Sequence, residues 1–123
     1  MVIAYLLINA VLYAAFALAS SLVPERIAAA LGFTLDAQGR VEFLTVYGGL
    51  ELGLAAFYAW TVYAGPEPQR TGLVFSLFLY AGLVIYRLAG ILRYGVPGTT
   101  MLAVAGLELF LLLAALALCL RAN

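Results

Sequence analysis

The chain has 123 residues, 67% of them apolar and only 10% charged, with a formal net charge of zero. Soluble domains carry roughly a quarter charged residues, so this composition belongs to the integral membrane class and allows one compact domain, residues 1–123, with no separate soluble one. Zero net charge excludes the basic field that nucleic acid requires. The absence of histidine removes the commonest metal ligand and general base, and the lone Cys119 excludes an intrachain disulfide or a cysteine-rich metal site.

The first apolar run, residues 2–23, has the length of a spanning helix. Ala17-Leu18-Ala19 before Ser20 imitates a signal-cleavage pattern, but no positive residue precedes the run and it is long for a signal core, so it is expected to be retained. Tyr5, Asn9, Tyr13, Phe16 and Ser20 recur at spacings of three and four and form one polar-aromatic stripe. The stripe reads either as helix packing with an interhelical Asn bond or as one wall of a cavity. Pro24 ends this helix. A short interfacial helix is predicted over residues 25–31, closed by Gly32, followed by a polar turn from Thr34 to Arg40.

The second span is predicted over residues 41–64. It holds Tyr47-Gly48-Gly49-Leu50-Glu51-Leu52-Gly53, a carboxylate and three glycines inside an apolar run. Gly49 and Gly53 form a G-x-x-x-G pair, which with Gly48 predicts a close helix-packing surface. Tyr58, Trp60 and Tyr63 read as an aromatic belt at the membrane boundary. Residues 65–71, with two prolines, read as a tight polar turn. The third span, residues 72–94, places Tyr80, Arg87 and Tyr94 on one face with Gly90 beside Arg87. The fourth, residues 101–120, repeats the element of the second as Gly106-Leu107-Glu108-Leu109. The predicted fold is therefore an all-α integral membrane bundle of four transmembrane helices with both termini on the same side. Positive charges nearly balance, with Arg26, Arg40 and Arg93 on one side and the N-terminal amine, Arg70 and Arg121 on the other, so the orientation stays open.

A rise of about 1.5 Å per residue puts Glu51 about 15 Å deep, and Arg87 and Glu108 about 10 Å deep, measured from the same surface. Each intramembrane charge costs about 2.5–3.5 kcal/mol at a helix centre, so the three are expected to pair. Arg87, with five donors, is expected to bridge Glu51 and Glu108, with Asn9, Tyr13, Tyr47 and Tyr86 reaching the same layer. Two carboxylates against one guanidinium leave a surplus negative charge. It is met by a proton on one glutamate or by a cationic or hydrogen-bond-donating ligand. The alternative is an ion-pair network that only locks the bundle.

Glu42-Phe43, Tyr47-Gly48-Gly49-Leu50, Leu52-Gly53, Arg87, Gly95-Val96-Pro97 and Glu108 together resemble the bacterial four-helix family catalogued as domain of unknown function 4345. Here Leu44 or Thr45 stands where the family usually has a basic residue, and Tyr94 where it favours Asp. The resemblance implies a four-helix protein of the bacterial inner membrane, gives weight to Tyr47, Gly48, Gly49, Arg87 and Glu108, and implies no activity. A looser likeness to proteins of the DoxX type is fold-level analogy.

The leading expectation is an uncharacterised membrane protein that binds or carries a small amphiphile, a lipid, quinone or isoprenoid, at an intramembrane Glu-Arg-Glu cluster. The alternatives are, in order, a proton-coupled small transporter acting as a homodimer, an isomerase using Glu51 or Glu108 as acid and base, and an accessory subunit of a larger membrane complex whose ion-pair network is purely structural. Expected partners are membrane lipids and the amphiphile. No soluble cofactor is expected, for there is no phosphate loop, dinucleotide fingerprint or haem ligand pair.

Overall fold

The computed structural model describes residues 1–121 and is helical almost throughout, with no strand among the described residues. Its elements are α1 (Val2–Leu22), α2 (Pro24–Ala30), α3 (Ala37–Phe43), a π-helical segment (Leu44–Leu50), α4 (Glu51–Tyr63), α5 (Pro66–Tyr94) and α6 (Thr99–Arg121). Three of them, α1, α5 and α6, are long and apolar enough to cross a membrane, which makes this a multi-pass membrane protein by composition and length. Ala122 and Asn123, the end of the predicted single domain, lie outside the described residues.

Two predicted boundaries move, and both move for reasons of helix capping. The second long helix begins at Ala37, not Val41, because the Asp36 carboxylate accepts the Gly39 N–H at 2.7 Å. That bond satisfies an orphan donor of the first turn. The polar stretch from Ala37 to Arg40 is therefore helix, not turn. The helix around Pro66 and Pro68 likewise starts at Pro66 and absorbs most of the expected turn. Proline is accommodated in a first turn, where its missing N–H would have had no intrahelical partner. The turn shrinks to Ala64 and Gly65, where φ of +112° requires glycine. The short helix runs Pro24–Ala30 and is closed as expected at Gly32, φ +86°, with the Phe33 N–H donating to the Ala28 carbonyl at 2.8 Å.

Helical dihedrals persist through both joints of the π segment: Phe43 and Leu44 at its start, Leu50 and Glu51 at its end. Residues 37–63 are thus one rod with a widened middle. The wide turns coincide with Gly48-Gly49, where no side chain favours the narrower α turn. Gly48 is buried, and a Cβ there would stand 3.1 Å from Ser21 Oγ on α1.

α1 packs antiparallel against α4, and α5 packs against α6. The two pairs meet over a core of Tyr5, Leu6, Ala10, Tyr58, Leu73, Tyr80, Leu111 and Ala115. The closest approach is at Gly72, where an added Cβ would lie 3.0 Å from Leu6 Cδ2 and 3.1 Å from Thr61 Cγ2. The glycines predicted to pack helices behave otherwise. A Cβ on Gly53, Gly90 or Gly106 would meet nothing within 4 Å, and on Gly49 only the Leu44 carbonyl of its own helix. Of the five, only Gly48 serves helix packing within the chain. The others face outward among exposed apolar residues such as Leu50, Leu52, Leu107 and Leu109.

Candidate functional site

Two polar layers occupy the bundle. The first lies in the half where α1 begins and is fully bonded. The Tyr80 hydroxyl donates to Asn9 Oδ1, Asn9 Nδ2 donates to the Tyr5 carbonyl at 2.8 Å, and the Tyr5 hydroxyl donates to the Leu111 carbonyl at 3.0 Å. Ser76 Oγ donates to the Gly72 carbonyl at 2.9 Å, so the Tyr58 hydroxyl is the donor in its 2.8 Å bond to Ser76. Thr61 Oγ1 donates to the Tyr58 carbonyl at 2.7 Å. Asn9, Tyr58, Thr61 and Ser76 have no exposed surface. In a lipid environment each such bond spares a polar group from being stranded in hydrocarbon.

The second layer lies toward the opposite end. Arg87 on α5 donates from Nε and Nη2 to the two oxygens of Glu108 on α6, each at 2.6 Å. Short parallel bonds of this kind are the strong, geometrically specific form of the ion pair. Arg87 Nη1 faces Met101 Sδ at 3.1 Å. Glu51, in the first turn of α4, is part-buried and lies within electrostatic reach of Glu108, Tyr13 and Tyr47. It makes no hydrogen bond and no ion pair among the described residues.

The expected Glu-Arg-Glu bridge is therefore only half formed. The reason is geometric: both edges of the guanidinium that form a fork are taken by Glu108, on the helix directly packed against α5. The remaining corner points to Met101, not to α4. Asn9 belongs to the first layer and not to the Arg87 layer. Tyr13 stacks on Tyr58 with centroids 5.9 Å apart and connects the layers. Tyr47, carried by the π segment, stacks on Phe43 at 4.6 Å and touches Phe16 and Phe33. Tyr86 is exposed and points away from the layer. Tyr80 leaves the predicted Arg87 face for Asn9, and Tyr58 is a core residue instead of part of a boundary belt, whereas Trp60 and Tyr63 are exposed.

The two layers differ in how the helix pairs meet. Among the described residues, the hydrogen bonds and ring contacts that join α1–α4 to α5–α6 involve Tyr5, Asn9, Phe57, Tyr58, Val62 and their partners, all in the first half. In the second half the bonds stay within a pair: Arg87 to Glu108, Tyr47 to Phe16, Arg40 to Glu25. Glu51 and Tyr47 thus belong to one pair and Arg87 and Glu108 to the other, with no hydrogen bond between them among the described residues. Two surface grooves flank the bundle. One of about 290 Å³ is lined by Phe33, Glu42, Phe43, Val46 and Tyr47, and one of about 590 Å³ by Glu67, Arg70, Thr71, Val74, Phe75 and Phe78. Neither includes Glu51, Arg87 or Glu108.

Reasoning from sequence missed Thr61, Ser76 and Met101, and gave Tyr58 a boundary place instead of its core one. Ser76 and Thr61 are single hydroxyls in apolar runs, and what marks them, Tyr58 on the helix facing Ser76 and Gly72 on the helix facing Thr61, is revealed only by the register of packing. Comparison with known proteins returns nothing: no family model, no curated protein and no solved structure matches the chain.

Proposed function

We propose that the chain crosses a bacterial inner membrane four times and binds or carries a small amphiphile, a lipid, quinone or isoprenoid, in the seam between Glu51 and the Arg87–Glu108 pair. The rod over residues 37–63 supplies the fourth span; its π segment divides it into pieces, each too short to span alone. Arg121 Nη1 lies 3.9 Å from Met1 Sδ, which supports both ends of the bundle lying on one side of the membrane. The resemblance to the family of unknown function 4345 belongs to the same proposal.

The observation that carries the reading is the asymmetry of polar satisfaction. Every buried polar side chain but Ser20 in the described residues finds a partner; Glu51, part-buried inside an apolar helix, makes no hydrogen bond and no ion pair. Intramembrane carboxylates face a bundle interior or cavity and mark ligand pathways by default. The π segment immediately before Glu51 adds weight, because π-bulges recur at functional sites. We read the seam as offering the unpaired Glu51 carboxylate and the rings of Tyr13 and Tyr47 to a polar head, while the exposed apolar helix faces suit its tail.

The test is to extract the protein gently from membranes and identify co-purifying small molecules by mass. The expected result is one defined species per protein, absent from a Glu51→Leu variant of unchanged helicity. A wild-type protein free of any bound species would contradict the reading. A second reading, the homodimeric proton-coupled transporter, is favoured by one observation, the uncovered Gly49 and Gly53 face on the rod; a dimer carrying no small molecule would select it.

A further inference from the structure

The seam has a sign, and that sign bears on which head group it accepts. Arg87 is the only basic residue in the layer. Its Nε and Nη2 are committed to Glu108 at 2.6 Å, so its charge is neutralised at contact. Its Nη1 is turned to a thioether. The other five arginines stand at connectors or helix ends: Arg26 and Arg40 near the short helices, Arg70 and Arg93 at the two ends of α5, Arg121 at the end of α6. Arg40 is engaged by Glu25 at 2.8 Å. Two carboxylates therefore share a layer with one guanidinium that is already taken, and Glu51 is the group left over. Tyr13 and Tyr47 lie within electrostatic reach of it, and the faces of aromatic rings favour cations.

We infer that the seam selects an amphiphile with a cationic head, a protonated amine or quaternary ammonium on an apolar body, and rejects phosphate and carboxylate heads of the same length. This inference rests on the seam being a binding site. An anionic head would stand beside Glu51 and Glu108 and find Arg87 occupied, and like charges in a low-dielectric site repel strongly. A neutral hydroxyl donates to Glu51 but gains no charge attraction, and ranks between the two.

The test uses one tail and three heads. The full chain in a non-ionic detergent is titrated with dodecyltrimethylammonium, dodecanol and dodecyl phosphate, and bound ligand is read by native mass spectrometry. The expected order is cation, then alcohol, then anion, with the cation favoured over the anion by about tenfold or more, as one unpaired charge at close range supplies. Glu51→Gln, which keeps the size and removes the charge, is expected to bring the ratio close to one, while Glu42→Gln at the flanking groove leaves it unchanged. Glu51→Asp, which keeps the charge, is expected to retain the preference. Preference for dodecyl phosphate, or a cation preference untouched by Glu51→Gln, would overturn the inference and leave the seam as a binding site of another specificity. Failure of all three to bind would remove both the inference and the function it rests on.

Discussion

The two halves of the bundle handle polar groups in opposite ways. In the half where α1 begins, Asn9, Tyr58, Tyr80 and Ser76 are sealed from solvent, and their bonds run between the helix pairs. In the other half the strongest bond, Arg87 to Glu108, stays within one pair, and Glu51 on the facing pair has no partner. One half is built to hold four helices together. In the other, no hydrogen bond or ring contact joins the pairs among the described residues, and Glu51 is left without a partner. A single helical protein can thus divide its polar residues between cohesion and an available surface, and the division is read from which helices each bond joins, not from how polar each layer is.

Removing one partner of the ion pair is expected to have the largest effect. Glu108→Ala leaves Arg87 uncompensated inside the bundle and should cost about 3–5 kcal/mol. The double variant Arg87→Leu/Glu108→Leu should stay far closer to the wild type, since a well-packed apolar pair replaces a buried ion pair at little cost. Unfolding in mixed micelles measures both, and a double variant as unstable as the single one would show that the pair does more than satisfy itself. Next is the contact at Gly72. Gly72→Ala should lose about 1–3 kcal/mol through overpacking against Leu6 and Thr61, whereas Gly53→Ala, with open space around it, should change stability by less than about 0.5 kcal/mol. Equal effects at the two glycines would erase the distinction between inward and outward faces.

Smaller effects test the sealed half in detail. Tyr80→Phe removes the donor to Asn9 and should cost about 0.6–1.7 kcal/mol, the range of interhelical hydrogen bonds in membranes. The exposed Arg40–Glu25 pair should be worth least: Glu25→Ala is expected to shift stability by at most about 1 kcal/mol and to lose even that effect in high salt. Thermal unfolding at two salt concentrations separates this pair from the Arg87–Glu108 pair, whose contribution should not respond to salt.

Much of this division was legible in the residues. The apolar runs marked the long helices, the spacing of Tyr5, Asn9 and Ser20 marked their inward face, and intramembrane depth brought Arg87 to Glu108. What stayed hidden depended on facts that composition does not encode. In lipid the outward and inward faces of a helix are both apolar, so the G-x-x-x-G pair could not reveal that Gly49 and Gly53 point away from the bundle while Gly72 carries the close contact. The π segment was not legible because Gly48-Gly49 permit its wide turns without requiring them. The prolines at 66 and 68 resemble a turn because the same residue opens helices and breaks them, and position alone decides which. The half-formed Glu-Arg-Glu bridge was hidden because charge counting fixes how many partners a guanidinium accepts but not which edge faces which helix.

The central claim is that the seam binds a small molecule and the sealed half does not. It is tested most directly by native mass spectrometry of three proteins released from membranes in parallel: the wild type, Glu51→Leu in the seam, and Tyr58→Phe in the sealed half. The account predicts one bound species in the wild type and in Tyr58→Phe, and none in Glu51→Leu. Retention by Glu51→Leu with loss from Tyr58→Phe would place the binding surface in the wrong half and contradict it.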